Sequence, residues 1–103
     1  MCGFVGEVNL DKDYTSRVVE ANKKLYCRGP DNQSYCFVSS ENKFISDTKH
    51  DLKQKSIINL AFSRLSIIDL SSAANQPMVS DDSNYALLFN GEIYNHEEIR
   101  KEL

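Results

Sequence analysis

Apolar and polar residues are arranged along the chain in a way that predicts a short strand followed by a helix. Cys2 to Val8 is apolar and punctuated by glycine, which is typical of a buried strand. Between Asp13 and Tyr26 the apolar residues recur at helical spacing and form one face. The residues of that face are Tyr14, Val18, Ala21 and Leu25, with Val19 beside them.

Both ends of this predicted helix carry recognisable signals. Asp13 is suited to be the N-cap, because its carboxylate can accept a backbone N–H of the first turn. Lys23 and Lys24 place positive charge near the negative end of the helix dipole. Gly29 can adopt a positive φ and Pro30 cannot continue a helix, so the helix is expected to end before them.

The next segment has the period of a strand with one buried face. From Gln33 to Val38, Tyr35 and Phe37 alternate with Cys36 and the final valine. A period of two residues separates the two faces of a strand. We therefore expect a half-buried strand, with one of these two sets of side chains facing the core.

The second half of the chain alternates between polar segments and apolar ones. Ser39 to Ser56 is polar and is expected to be an exposed hairpin or loop. Two strong strand candidates follow, Ile57–Leu70 with an interruption near Arg64, and Tyr85–Asn90. The remaining segments are a loop at Ser71–Asn84 and a second helix at His96–Leu103.

Composition limits the classes of protein to consider. The 103 residues allow one domain at most, and 41% hydrophobic with 26% charged residues is ordinary for a soluble protein. A net charge of -3 gives no reason to expect nucleic acid or an anionic membrane as a partner. No apolar run approaches the ~20 residues of a membrane span, and no secretory signal is expected. Three cysteines without a CxxC pair argue against disulfides and metal, and favour the cytoplasm.

Cys2 is a candidate nucleophile, because removal of Met1 would leave it with a free α-amino group. A free thiol has a pKa of about 8.5 and an α-amine of about 7.7–8.0, so the amine can accept the thiol proton near neutral pH. The alternative is that Cys2 is simply a small buried apolar residue in an edge strand. Considered alone, the residue favours that alternative.

Five short motifs follow one another along most of the chain. They are Cys2-Gly3-Phe4-Val5-Gly6, Arg28-Gly29-Pro30-Asp31, Arg64-Leu65-Ser66-Ile67-Ile68-Asp69-Leu70, Gln76-Pro77-Met78 and Asn90-Gly91-Glu92-Ile93-Tyr94-Asn95. Each motif alone is a weak signal. In this order, with cysteine at position two, they closely resemble the glutaminase domain of asparagine synthetases, a class II amidotransferase domain with an N-terminal cysteine.

The resemblance implies a role for each matching residue in binding and cleaving glutamine. Cys2 is the nucleophile, and Asn90 and Gly91 supply the side-chain and backbone donors of the oxyanion hole. Arg64 binds the α-carboxylate, a task suited to a planar and permanently charged guanidinium. Glu92 receives the α-ammonium. The residues expected to line the glutamine pocket, partly through backbone groups, are Leu65, Ser66, Ile67 and Ile68.

Several of these residues also have a structural interpretation. Arg64 could be a surface or ion-paired arginine at a strand end, and Glu92 a solvated carboxylate in a turn. Asn90 and Gly91 between apolar segments are typical of a tight hairpin turn. The turn at residues 28–31 is expected to order the loop beside the nucleophile rather than to take part in catalysis.

Two positions depart from the family pattern. Cys27 stands where the family usually has His, and Ala61-Phe62 stand where it usually has Gly-His. Both changes are expected to alter packing around the pocket in a divergent member of the family. Ile67 and Ile68 would be assigned to the core on hydrophobic pattern alone, besides lining the pocket. The sequence at Arg64-Leu65-Ser66-Ile67 and Glu92-Ile93-Tyr94 favours the synthetase branch over the glucosamine-phosphate and phosphoribosyl-amine branches.

The resemblance also implies a fold and a reaction. The fold is α+β, an Ntn-hydrolase type four-layer αββα sandwich, of which residues 1–103 form the N-terminal part without the synthetase domain. The implied enzyme is a glutamine-dependent amidotransferase. Cys2 hydrolyses glutamine to glutamate and ammonia through a thioester, and the ammonia serves ATP-dependent amidation of aspartate or a related acceptor.

Expectations about ligands and partners follow from the same resemblance. No cofactor or metal is expected in this chain, because ATP and Mg belong to the synthetase domain. The expected partners are glutamine, a synthetase domain or subunit, and a second copy of the chain through unpaired sheet edges. The alternative is a truncated or divergent non-catalytic module that acts in assembly or binding.

Overall fold

An antiparallel sheet of four strands carries one helix and forms the main body of the structure. The computed structural model describes residues 1–10, 16–47 and 56–103. A 3-10 turn spans Ser72–Ala74. The helices and strands are β1 Gly3–Val8, α1 Val18–Lys23, β2 Asn32–Val38, β3 Phe44–Asp47, β4 Ile58–Arg64, β5 Met78–Val79, β6 Ala86–Leu87 and α2 His96–Glu102.

Strand β4 lies inside the main sheet, whose order is β1-β4-β2-β3. Ser63 of β4 is paired with Gly3 on one side and with Gln33 on the other, and both pairings are antiparallel. Ala61, Phe62 and Ser63 are consequently almost fully buried. Strands β5 and β6 form a separate two-stranded sheet. The result is a mixed fold of helices and antiparallel sheets.

Helix α1 covers one face of the main sheet. Val18 and Val19 of the helix pack with Tyr35 and Ala61, and Val5 adjoins this cluster. Val5, Ala61 and Tyr35 form one row across β1, β4 and β2. Burial of these apolar side chains is the main favourable term that holds the helix on the sheet.

A buried polar group lies beside the apolar cluster and joins α1 to the sheet. The Ser63 hydroxyl donates to Asn22 Oδ1 at 2.9 Å and accepts from Gln33 Nε2 at 3.2 Å. Gln33 Nε2 also contacts the backbone carbonyl of Asn22 at 3.3 Å. Asn22 and Ser63 are both 0% exposed. Because hydrogen bonds have preferred directions, this group fixes where α1 lies along β4.

The opposite face of the sheet is covered unevenly. Phe4, Phe62 and Ser34 form one row across β1, β4 and β2. Phe62 is 1% exposed, whereas Phe4 at the β1 edge is 50% exposed. The Ser34 hydroxyl donates to the backbone carbonyl of Gln76, so the segment after the 3-10 turn covers the β2 side. The bond between Gln76 and Pro77 is cis.

Several elements agree with the sequence-based predictions. The strands predicted at Cys2–Val8 and Gln33–Val38 are confirmed as β1 and β2. Of the strand predicted at Ile57–Leu70, the part up to the predicted interruption is confirmed as β4, whereas residues 65–70 form no strand. The helix predicted at His96–Leu103 is confirmed as α2. The described part of the predicted polar hairpin contains β3, paired with β2 across a turn in which Asn42 has a φ of 58°.

The first predicted helix is shorter in the structure than the pattern indicates. It spans Val18–Lys23, and the expected N-cap Asp13 and apolar Tyr14 lie outside the described residues. After Lys23 the backbone N–H groups bond to carbonyls three residues earlier, as in Leu25 to Asn22. The α-helix therefore gives way to consecutive turns before residue 29.

Three other predictions differ from the structure. Strand β2 is not half-buried, because Tyr35, Cys36 and Phe37 are all buried and both of its faces are covered. The strand predicted at Tyr85–Asn90 is limited to Ala86 and Leu87, since its partner β5 has only two residues. The predicted loop at residues 71–84 contains β5 and the 3-10 turn.

Gly29 is required for close backbone approach and not for an unusual φ. No described glycine has a positive φ, so Gly29 does not use the left-handed conformation that is open to it. A Cβ at position 29 would lie 2.6 Å from the backbone nitrogen of Arg64 and closer still to the Ser63 carbonyl. The turn after α1 therefore packs directly, backbone to backbone, against the end of β4.

We expect Gly29→Ala to lower the free energy of unfolding by about 3 kcal/mol, because the added methyl meets rigid backbone. Gly6→Ala is the matched control, since its Cβ would meet only Leu60 Cδ2, at 3.4 Å. The control should change stability by less than about 1 kcal/mol. Urea unfolding followed by circular dichroism measures both, and equal stabilities would contradict the close approach.

Burial raises the pKa of the Cys36 thiol to about 11. In the unfolded chain a thiol titrates at about 8.5, so between these values the unfolded state loses a proton that the folded state keeps. Stability should therefore fall as the pH rises through this window, by at most roughly 3 kcal/mol.

The measurement that isolates this effect is the free energy of unfolding of the native chain and of Cys36→Ala between pH 8 and pH 11. Both proteins share every other titrating group, so only the native chain carries the thiol contribution. Parallel pH profiles for the two proteins would show that burial of Cys36 does not couple to stability.

Candidate active site

Cys2 lies directly before β1 and is partly buried. Its sulfur contacts both backbone groups of Leu65, the first residue after β4. The Leu65 N–H donates to Cys2 Sγ at 3.3 Å, and the Cys2 thiol donates to the Leu65 carbonyl at 3.6 Å. One residue of the predicted glutamine-binding segment therefore holds the predicted nucleophile.

The backbone carbonyl of Cys2 is bound from two other parts of the chain. Arg28 Nε donates to it at 3.2 Å, and Asn90 Nδ2 donates to it at 3.1 Å. Arg28 belongs to the turn after α1, whereas Asn90 follows β6. Three segments that are distant in sequence thus converge on residue 2.

A cavity of about 300 Å³ opens beside Cys2. Its size is at the lower end of the range for small-molecule sites. A Cβ on Gly3 would lie 3.2 Å from Leu25 Cδ1 and 3.4 Å from Arg28 Nε, so glycine keeps this wall open. Among the described residues, those lining the cavity are Cys2, Gly3, Phe4, Leu25, Arg28 and Asn90.

Asp31 connects the turn after α1 to the segment after β4. Its backbone N–H donates to the Arg64 carbonyl at 3.0 Å. Its carboxylate Oδ2 accepts the backbone N–H of Ser66 at 2.6 Å. These two hydrogen bonds lie on either side of Leu65, whose backbone contacts the Cys2 sulfur.

Arg64 is 7% exposed and is held by the loop that follows it. Its NH1 donates to the Ser71 carbonyl at 2.6 Å and to Asn75 Oδ1 at 2.8 Å, and its NH2 donates to the Asp69 carbonyl. Hydrogen bonds from Ser71, together with the charge of Arg64, keep the pKa of the Asp69 carboxyl below its ordinary value. Arg64 therefore orders residues 69–75 and does not line the cavity beside Cys2.

The other predicted binding residues lie mostly at the surface. Ile67 is 75% exposed and Ile68 is 98% exposed, so the interpretation of both as core residues was wrong. Glu92 is exposed and is not among the residues lining the cavity. Gly91 is also exposed, and a Cβ there would touch the Phe89 ring at 3.0 Å.

The structure brings together Cys2, Leu65 and Asn90 and adds one residue to them. Arg28 contacts Cys2 and lines the cavity, although its motif was expected to be only a structural turn. The signal for Arg28 in the sequence was its position as a charged residue directly before Gly29. Of the two departures from the family pattern, Cys27 is exposed and Phe62 is buried.

Among the residues that the structure describes, no group of three or more His, Cys, Asp or Glu side chains is placed to bind a metal ion. Within residues 1–10, 16–47 and 56–103, no helix combines the length and the apolar character needed to cross a bilayer.

The chain is similar to known proteins over its full length. The family described as glutamine amidotransferase domain matches residues 1–103. Glutamine-hydrolyzing asparagine synthetase 1 of Bacillus subtilis (strain 168) is 35% identical over 108 residues, which cover 100% of this chain and 14% of that protein. Asparagine synthetase 1 of Lotus japonicus, also named as glutamine-hydrolyzing, is 35% identical over 107 residues, with 100% and 15% covered.

A third relative gives the same result. Glutamine-hydrolyzing asparagine synthetase 1 of Arabidopsis thaliana is 34% identical over 106 residues, which cover 100% of this chain and 15% of that protein. No solved structure matches the chain. The chain thus spans about 14–15% of the length of these curated relatives. Because the family match extends over every residue, this chain belongs to the glutamine amidotransferase domain family.

Proposed function

We propose that this chain binds glutamine beside Cys2 and hydrolyses its side-chain amide to glutamate and ammonia. The observation that carries the proposal is the convergence of three segments on Cys2 next to an open cavity. Membership of the amidotransferase family and the names of the relatives, which are glutamine-hydrolyzing enzymes, support the same substrate.

The proposed reaction proceeds through a thioester on Cys2. After removal of Met1, the α-amine of Cys2 accepts the thiol proton, directly or through water, and the sulfur attacks the carboxamide carbon. The C–N bond of the tetrahedral intermediate then breaks, and the nitrogen leaves as ammonia with the transferred proton. Water attacks the γ-glutamyl thioester, which releases glutamate and returns the proton to the sulfur.

Asn90 and Gly91 are proposed to stabilise the negative oxygen of the tetrahedral intermediate. A side-chain amide nitrogen carries two N–H donors. One donor of Asn90 is used by the Cys2 carbonyl at 3.1 Å, and Asn90 lines the cavity, so its second donor is proposed to bind the oxygen there. The backbone N–H of Gly91 would be the second donor of the oxyanion hole.

The α-groups of glutamine are proposed to lie along the segment after β4. Leu65, Ser66 and the two exposed isoleucines offer backbone groups to the substrate, and Glu92 would receive its ammonium. Arg64 has five N–H donors, of which three bind its own loop. It would bind the carboxylate through its remaining N–H groups or in exchange for one of the loop contacts.

The activity of the whole protein is also a proposal. The relatives are named asparagine synthetases, so ammonia released at Cys2 would serve ATP-dependent amidation of aspartate or a related acceptor by a synthetase domain or subunit. The complete fold would be the four-layer Ntn-hydrolase sandwich, in the cytoplasm. ATP and Mg would be held by the synthetase domain, and free sheet edges would favour a homo-oligomer.

A non-catalytic role in binding or assembly is the second candidate. The occupied donors of Arg64 favour it, since the carboxylate-binding group is turned toward its own loop. The exposed and apolar Ile67 and Ile68 are compatible with a partner surface. The two candidates differ in whether Cys2 reacts with a glutamine analogue.

The first test is the intact mass of the purified chain before and after incubation with a glutamine-mimicking diazoketone. We expect loss of Met1 and a single adduct on Cys2, because the reagent needs both a pocket for glutamine and an activated sulfur. Cys2→Ala should keep its circular dichroism spectrum and gain no adduct. A folded, processed chain without adduct would favour the non-catalytic role.

Asn90→Ala should lower kcat for ammonia release by about 10²- to 10³-fold, because one oxyanion donor is lost. The KM for glutamine should change much less, since this donor acts on the intermediate more than on the substrate. A coupled assay for glutamate measures both constants. A large rise in KM with unchanged kcat would remove Asn90 from the oxyanion hole.

A further inference from the structure

We propose that Asp31 is a positioning residue that holds the Leu65 backbone against the sulfur of Cys2. This role rests on the proposed function of Cys2 as the nucleophile and extends it to a motif that sequence alone assigned to a turn. Asp31 itself does not touch the sulfur in the structure. It acts through the peptide groups on both sides of Leu65.

Two hydrogen bonds of Asp31 orient the backbone around Leu65. Asp31 donates its N–H to the Arg64 carbonyl at 3.0 Å and accepts the Ser66 N–H at 2.6 Å. The Leu65 N–H belongs to the peptide whose carbonyl Asp31 binds, and the Leu65 carbonyl belongs to the peptide whose N–H Asp31 binds. Both peptides that face the sulfur are thus oriented by one residue.

The described part of the sheet provides no strand pairing for the backbone beyond Arg64. Strand β4 ends at Arg64, which is paired with Asn32 of β2. Ile67 and Ile68 are then largely exposed. The short bond from Asp31 to the Ser66 N–H replaces the sheet pairing at this point. A charged acceptor makes this the stronger kind of backbone hydrogen bond.

The position of Asp31 is itself fixed by the other residues of its turn, Arg28 and Gly29. Gly29 packs against the backbone of Ser63 and Arg64, and a Cβ at position 29 has no room. Arg28 in the same turn binds the Cys2 carbonyl at 3.2 Å. The turn at residues 28–31 therefore holds the Cys2 carbonyl through Arg28, and through Asp31 it holds the Leu65 backbone that contacts the Cys2 sulfur.

The chemical consequence concerns the form of sulfur that reacts. Only the thiolate is an effective nucleophile. The Leu65 N–H at 3.3 Å is the contact that remains favourable once the sulfur is negative, and the carbonyl at 3.6 Å can accept only from the neutral thiol. The Asp31 carboxylate holds the Leu65–Ser66 peptide, which shares the Leu65 Cα with the peptide that carries this N–H. Loss of the carboxylate frees the Leu65 backbone on that side to move away from the sulfur, which removes the donor and reduces the reactivity of Cys2, while the Asp31 N–H still binds the Arg64 carbonyl.

The test is the rate of alkylation by iodoacetamide at each cysteine of the purified chain, read by peptide mass spectrometry in Asp31→Ala and Asp31→Asn. Cys27 is exposed and Cys36 is buried, so the same molecule reports reagent activity and unfolding. Loss of the hydrogen bond from the Leu65 N–H to the negative sulfur of Cys2 should lower the population of thiolate roughly tenfold. The remaining thiolate is intrinsically about threefold more nucleophilic.

We therefore expect the ratio of the Cys2 rate to the Cys27 rate to fall about three- to fourfold in Asp31→Ala. Asp31→Asn should restore it to within about twofold of the native chain, because its amide oxygen can still accept the Ser66 N–H. An unchanged or increased ratio in Asp31→Ala, or an Asn variant as slow as the Ala variant, would overturn the positioning role.

A purely structural role for Asp31 would give a different pattern. Unfolding would raise the labelling of Cys36 together with Cys2, and the Cys36 rate gives the unfolded fraction to be subtracted. Should Asp31→Ala label all three cysteines equally, the ratio is read in Asp31→Ser, whose hydroxyl is too short to keep the 2.6 Å contact. Iodoacetamide requires no glutamine pocket, so absence of glutaminase activity would not decide this test.

Discussion

The close approach of the turn after α1 to the end of β4 determines the rest of the site. Gly29 has no side chain, so the backbone of the turn meets the backbone of Ser63 and Arg64 directly. This contact brings Arg28 to the Cys2 carbonyl and Asp31 to the segment around Leu65 at the same time. A single glycine thereby determines the spacing between the helix side of the site and the strand side.

Helix α1 has six residues and could not persist without the sheet beneath it. Its apolar contacts supply most of the attachment, but such contacts have no preferred direction. The hydrogen bonds among Asn22, Ser63 and Gln33 do have preferred directions, and they fix the helix at one position along β4. Stability and position at the site thus come from different groups of side chains.

Local hydrophobic pattern was enough to predict the existence of β1, β2 and β4, because the pattern of a strand depends only on residues that are neighbours in sequence. It could not predict that both faces of β2 are covered, since the cover at Ser34 comes from Gln76, 42 residues away. Asn22 was missed because a polar residue does not contribute to an apolar pattern. At the site, Asn90 binds the Cys2 carbonyl, a contact between residues 88 positions apart that follows from the fold and not from local pattern. The binding of Arg64 by its own loop likewise depends on a turn geometry that no motif encodes.

The hydrogen bonds to the carbonyl of residue 2 have a consequence for substitution at this position. Arg28 and Asn90 both bind the main-chain carbonyl of Cys2, a group that every amino acid possesses. The walls of the cavity are therefore assembled around the backbone, and the thiol is an addition to them. Replacement of Cys2 by another residue would leave both backbone hydrogen bonds in place and would remove only the thiol and its contacts with Leu65.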